Sequence, residues 1–213
     1  MTFHKLDTKI MDGQQKRNKI THGTLIWGST KLHEAASCGN CSEAKDLIEQ
    51  GEIPVDAEND YGFTPLFVAK TWEMRQLLLD HGADINHRNN EKGSMMTNLR
   101  FDRDHVSKAI SAGYDIHKPF LGGIYVTRWQ IFFTETGPLT LLGNYIECLK
   151  HCHHIMKDDD WERYIDIIRL ILESGGNPDE RDYLGVIGNI LFMNEAERHV
   201  EKLRDLLIVF KAC

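Results

Sequence analysis

Two heptapeptides of similar spelling, TKLHEAA at Thr30–Ala36 and TPLFVAK at Thr64–Lys70, stand 34 residues apart, each with a glycine two residues before its threonine, Gly28 and Gly62. Self-similarity at a period of about 20 to 50 residues is the mark of stacked repeats, and few other features restrict a fold so strongly. The glycines that close apolar helical stretches keep the same beat: Gly51 after DLIEQ, Gly82 after LLLDH, Gly113 after KAISA and Gly175 after LILES. The steps between them are 31, 31 and 62 residues, so the last equals one further unit plus an insertion of like size. About 13 residues beyond each glycine comes the next expected helix start, at Thr64, Met95, Thr127 and Ile187.

The residues at these positions have physical reasons to be there. Thr30 and Thr64 suit a helix N-cap, where the hydroxyl accepts from an unsatisfied amide of the first turn, and Pro65 suits the first helical position, which needs no N–H. The closing glycines permit the left-handed residue that lets the chain leave a helix, and NDYG and NHRNNEKG then supply turn chemistry. Each unit therefore reads as helix, helix, projecting turn. Such a unit cannot bury its apolar face alone, and only stacking makes a continuous core. Units two and three are about three residues shorter than the first between helix start and glycine, so their helices are expected to lose most of a turn.

Composition narrows the function classes. With 32 acidic against 25 basic residues the net charge is -7, which argues against a general phosphate-backbone binder, so no nucleic-acid partner is expected. No apolar run approaches the roughly 18 residues of a membrane span, and the polar Met1–Lys19 stretch lacks the apolar core of a secretory signal. A soluble chain without a membrane partner follows. Five cysteines, an odd count without a small-domain framework, suit free thiols in a reducing, cytoplasmic setting.

GFTPLFVAK followed by LLLDHGADIN resembles the ankyrin repeat, whose pattern is Gly-x-Thr-Pro-Leu-x-x-Ala and then Leu-Leu-x-x-Gly-Ala-Asp-x-Asn; TKLHEAASCGN with DLIEQG matches over Thr30–Gly51. The resemblance is strongest over residues 28–90 and extends through 118 and over 161–182. SMMTNLRF, TRWQIFF and IGNILFM keep the position and apolar character of the motif without Thr-Pro-Leu-His. The fold expected is an all-α ankyrin-repeat solenoid of about five stacked helix-turn-helix units. Residues 1–27 form an N-terminal segment and partial cap, and residues 28–182 form the repeats. An insertion at 135–158 adds a helix to the fourth unit, and 183–213 hold the last degenerate repeat and a capping helix. That helix carries Val200, Leu203, Leu207 and Phe210 on one seam and is expected to be polar outside. Over the fourth start two readings stand: a helix from Thr127, or a β-hairpin joining DIHKPFL to IYVTRWQ through Gly122-Gly123.

The resemblance implies a non-enzymatic module that grips a protein partner with its concave face and turn tips; it brings no catalytic residues and no cofactor. Aromatic, His and Arg residues at the projecting turns are the candidate contacts: Tyr61, Phe63, His87, Arg88, Tyr114, His117, Phe120, Tyr125 and Tyr183. Trp72, Trp129 and Trp161 are read as core. Degenerate repeats in a small chain resemble secreted bacterial effectors, which implies a host protein as partner and a site of action in the cytoplasm or inside a host cell; a monomer is expected. The segment CLKHCHHIMKDDD carries a second possibility. On a helix, Glu147, His151, His154 and Asp158 share one side, as a weak metal set would require. Leu142, Tyr145, Leu149, Cys152 and Met156 share the other, as a core stripe. A metal-dependent or thiol enzyme built on residues 137–158, with Cys148 beside His151, is the alternative function.

Overall fold

The computed structural model describes residues 28–98, 102–121, 139–152, 158–177 and 198–211. Among them are eight α-helices: α1 Lys31–Cys38, α2 Cys41–Gln50, α3 Pro65–Val68, α4 Trp72–Asp80, α5 Arg103–Ser111, α6 Leu141–Cys152, α7 Asp158–Glu173 and α8 Arg198–Lys211. A 3-10 turn, Met95–Asn98, stands between α4 and α5. The expected side chains start the helices. The Thr64 hydroxyl accepts from the Phe67 amide at 3.4 Å with Pro65 behind it, and Thr71 and Asp102 cap α4 and α5 in the same manner. Gly51, Gly82, Gly113 and Gly175 all adopt positive φ, as the chain-exit argument requires.

In chain order the elements form the pairs α1 and α2, α3 and α4, the 3-10 turn and α5, and α6 and α7; the 3-10 turn packs on α3 of the layer before it and α5 on α7 of the layer after. The first members of the second and third pairs are only four residues long, Pro65–Val68 and Met95–Asn98, which is the shortening expected from the sequence. Neighbouring layers bury one continuous core: Leu32 with Ala35 and Ala36 from α1, Leu66 and Met74 with Leu78 from the second layer, and Met95 and Met96 with Val106 from the third. Tyr164, Ile167, Ile168 and Ile171 of α7 extend it, and Leu203 and Leu207 of α8 close it. Val55, Ile85 and Ile116 recur near the root of each projecting turn and belong to the same core or pack against it.

Three fingers project between the pairs; a backbone hydrogen bond closes the neck of each, and in the third Leu139 N–H also donates back to Phe120 O at 3.1 Å. Asn59 N–H donates to Phe63 O (3.0 Å), Asn89 N–H to Gly93 O (3.1 Å) and Phe120 N–H to Leu139 O (2.9 Å). Fingers one and two hold three residues beyond the neck, 60–62 and 90–92, whereas in the sequence Phe120 and Leu139 are separated by residues 121–138. This corrects the expected insertion. The helix expected within 135–158 is present as α6, but it occupies the first-helix place of its own unit and packs on α7; residues 122–138 lie outside the described residues. Thr140 stands where Thr64 stands, and its hydroxyl accepts from Gly143 N–H at 3.2 Å. The alternative hairpin partner IYVTRWQ lies outside the described residues; the segment ending at Phe120 pairs with Leu139 instead.

The capping-helix seam is present at Leu203, Leu207 and Phe210, but the outer face of α8 departs from the polar expectation: Ile208 and Val209 are exposed. Trp161 is buried as expected, whereas Trp72 is half-buried and stacks on His105 at 5.8 Å. Leu142 and Tyr145 are buried on the inner stripe of α6. Among the described residues no helix is long and apolar enough to cross a membrane.

Candidate protein-binding fingers

Adjacent fingers are tied by backbone and side-chain hydrogen bonds, which makes their tips a single surface. Asn90 N–H donates to Tyr61 O at 3.1 Å and Leu121 N–H to Lys92 O at 2.9 Å. Nearer the roots, the Asp56 carboxylate accepts from Asp84 N–H at 3.1 and 3.0 Å. Thirty residues on, Asn86 Oδ1 accepts from Asp115 N–H at 2.7 Å, and its amide also donates to Gly113 O at 3.0 Å. Asn59 and Asn89 shape their own tips: Asn59 Oδ1 accepts from Tyr61 and Phe63 N–H, both at 3.0 Å, and Asn89 Oδ1 from Gly93 N–H at 2.6 Å. In finger three Phe120 takes the asparagine's place. Asn144 of α6 replaces its function from outside, donating to Leu139 O at 2.8 Å and Thr140 O at 3.0 Å.

Two imidazoles grip finger one from either side. His33 Nε2 donates to Phe63 O at 2.8 Å, while its Nδ1 faces the Thr30 hydroxyl at 2.9 Å and accepts from Thr30 N–H at 3.2 Å. That pattern assigns the neutral Nε2–H tautomer. Burial holds the His33 pKa below the usual imidazole value, with the Phe63 carbonyl acting in the opposite sense. His87 Nε2 donates to Gly62 O at 2.7 Å and lies 3.9 Å from the Glu58 carboxylate.

The predicted contact residues divide sharply. Tyr61 is 50% exposed at the tip of finger one and stacks on half-buried Phe63, with ring centroids 6.4 Å apart; Phe63 in turn meets buried Phe67 at 4.6 Å. His117 is exposed. Tyr114 and Phe120, by contrast, are only 4% and 2% exposed, so they do not project as expected. Arg88 covers them, its guanidinium 5.5 Å from the Tyr114 ring centre and 5.4 Å from that of Phe120. Its five N–H groups are all engaged: Nε with Pro119 O, Nη1 with Asn86 O and His87 O, Nη2 with Lys118 O and the Tyr114 hydroxyl. Arg88 is thus a clamp between fingers two and three and has no donor left for a partner, which corrects its predicted role. The Tyr114 hydroxyl also meets Ser94 at 2.9 Å, and burial pushes its pKa up.

Tyr125 and Tyr183 lie outside the described residues, as do His154 and the side chains of Glu147, Cys148 and His151; Asp158 is exposed at the start of α7. Sequence reasoning missed the Asp56–Asp84 and Asn86–Asp115 ladder and the His33 clamp. The 30-residue spacing of Asn59 and Asn89 and the Pro-Leu-Thr at 138–140 were the signals that would have located the finger necks.

Comparison with known proteins agrees with this geometry. Residues 8–89 match the family model described as ankyrin repeats (3 copies), so the match begins inside the segment expected to be a cap. A mouse protein described as inactive serine/threonine-protein kinase TEX14 is 34% identical over 132 residues, which is 60% of this chain and 9% of that protein. The chain therefore spans about a tenth of the length of that relative. The fold is the all-α ankyrin-repeat stack.

Proposed function

We propose that the chain is a non-catalytic protein-recognition module that engages its partner with finger one and the surfaces beside it. Ankyrin repeats are protein–protein interaction modules, and this fold presents tied fingers as one face. The observation that carries the assignment to finger one is the Tyr61–Phe63 stack, because Tyr61 is the exposed aromatic ring among the described residues and it stands on a rigid base. Exposed rigid aromatics are favoured contact residues, since they offer large area at little entropic cost. A bacterial origin or a host-cell target draws support from none of the comparisons. The monomeric state remains part of the proposal.

The test is site-specific photo-crosslinking. A benzoylphenylalanine at position 61 is compared with one at exposed Lys45 on α2 in the same lysate. A discrete protein adduct at position 61 that is absent at position 45 is expected. Equal adducts at both positions, or none at 61, would sink the assignment of finger one.

A further inference from the structure

We infer that the Asp102 carboxylate is a two-position switch between layers: outward it caps α5 and holds His105, and inward it pairs with the buried guanidinium of Arg75. Protonation of His105 sets the balance. The register of the layers points to this pair. The caps of α2, α4 and α5 are Asn40, Thr71 and Asp102, and the fourth residue beyond each cap is Ala44, Arg75 and Val106. Ala44 and Val106 are fully buried apolar side chains, whereas Arg75, 4% exposed, places a cation at the same core position. Asp102, the cap of the next layer, is the one ionisable cap of the three.

Arg75 is short of acceptors. Its Nη2 donates to Ala69 O at 2.5 Å, two residues before the Thr71 cap, which sets the guanidinium at the start of α4. Its Nε and Nη1 are buried and have no acceptor among the described residues. A desolvated guanidinium with open donors is costly, and a carboxylate is the group that best relieves it. The Asp102 charge acts on Arg75 and opposes the lowering of its pKa by burial. Asp102 is nevertheless engaged elsewhere. Its Oδ1 accepts from the His105 amide at 3.1 Å, and its Oδ2 lies 2.8 Å from His105 Nδ1. The His105 ring stacks at 5.8 Å on Trp72, one turn before Arg75, so both competitors for the carboxylate border one interface. The outward position leaves a buried cation with open donors, and the inward one gives up a helix cap and an imidazole. These penalties are of similar size, so the carboxylate divides between the two.

Protonated His105 holds Asp102 by charge as well as by hydrogen bond and favours the outward position; neutral His105 favours the inward one. The other charges set against His105 are Asp104 and, across the Trp72 ring, Lys108 at 6.0 Å, which pair with each other at 2.6 Å. The remaining charged residues of α4, Glu73 and Asp80, are exposed, and the buried face of α7, which packs on α5, is apolar and aromatic.

The experiment follows two NMR signals of the isotopically labelled full chain from about pH 8 to about pH 5, the range of an imidazole. One is the Arg75 Nε–H, correlated through bonds to its own backbone amide, and the other is the His105 amide. Both are expected to shift with one common midpoint, because a single carboxylate leaves the first as it reaches the second. His105→Ala is expected to hold the Arg75 signal at its high-pH position throughout. Asp102→Asn, which keeps a helix cap, is expected to remove the pH dependence at Arg75 as well. An Arg75 Nε–H that does not move with pH, or that moves as in the native chain in either variant, would overturn the inference. Helical circular dichroism checks the fold of each variant; should Asp102→Asn lose it, the native titration and His105→Ala decide alone.

Discussion

Single side chains carry much of the coupling between units here. Arg88 makes five hydrogen bonds across two fingers and covers two buried rings, so its removal strands several carbonyls and exposes Tyr114 and Phe120. Arg88→Ala should cost about 2 kcal/mol in chemical denaturation, and Arg88→Lys should recover less than half, since an ammonium cannot reproduce the planar fork. A loss below about 0.5 kcal/mol would show the clamp to be incidental. Asp56 offers the opposite case. Burial raises its pKa, while the Asp84 amide lowers it and the Asp84 charge raises it again. A raised folded pKa contributes stability that is present below the unfolded value and lost as pH rises through the folded one, so at neutral pH the ionised Asp56 is a liability. Asp56→Asn, which copies the Asn86 acceptor, should raise the denaturation midpoint at pH 7, with the gain vanishing at acid pH as Asp56 takes up its proton. His33 has the reverse sign. Its depressed folded pKa means that stability is present above the unfolded value of about 6.5 and is lost as pH falls through the folded pKa. Denaturation midpoints between pH 7 and 5 should drop more steeply for the native chain than for His33→Gln; parallel slopes would remove His33 as the cause.

Among the elements, the fingers differ in length while their necks agree. Three closing hydrogen bonds of 3.0, 3.1 and 2.9 Å define the same root although in the sequence residues 121–138 separate Phe120 from Leu139. Loop-closure cost grows slowly with length, so the neck between Phe120 and Leu139 can close over a longer connection at little extra cost. Replacing residues 121–138 by Asp-Tyr-Gly, with Phe120→Asn to restore the turn-forming amide, should therefore leave the helical circular dichroism and a cooperative unfolding transition intact. Loss of cooperative unfolding would show that the excursion is structural and not an addition. The extra residues were countable from the glycine spacing, but their place was not. Period counting put the fourth start at Thr127, which lies outside the described residues; among those described, a unit begins at Thr140, directly after the neck pair Phe120–Leu139.

At the scale of the whole molecule, each layer is stable through its neighbours. Leu78 of α4 is fully buried, and Leu78→Ala should cost about 3 kcal/mol, as measured by denaturant midpoint and slope. In a stack, such damage to a middle layer should also separate the transition into two steps, with residues on either side of α4 losing amide protection at different denaturant concentrations. A single transition with uniform loss of protection would indicate that the layers unfold as one unit. What the sequence by itself determined was local and periodic: the all-α repeat class, helix starts at Thr30 and Thr64, glycine exits, the shortened inner helices and the buried stripe of α6. These depend on backbone conformation and on spacing, which a linear chain carries openly. Only the tertiary structure decided which projecting aromatics face solvent. Tyr61, Tyr114 and Phe120 look alike in the chain, and what separates them is what lies over them: the Arg88 guanidinium of the preceding finger covers Tyr114 and Phe120, whereas Tyr61 stands 50% exposed. That outcome rests on contacts between residues about thirty positions apart, a distance over which no local propensity acts.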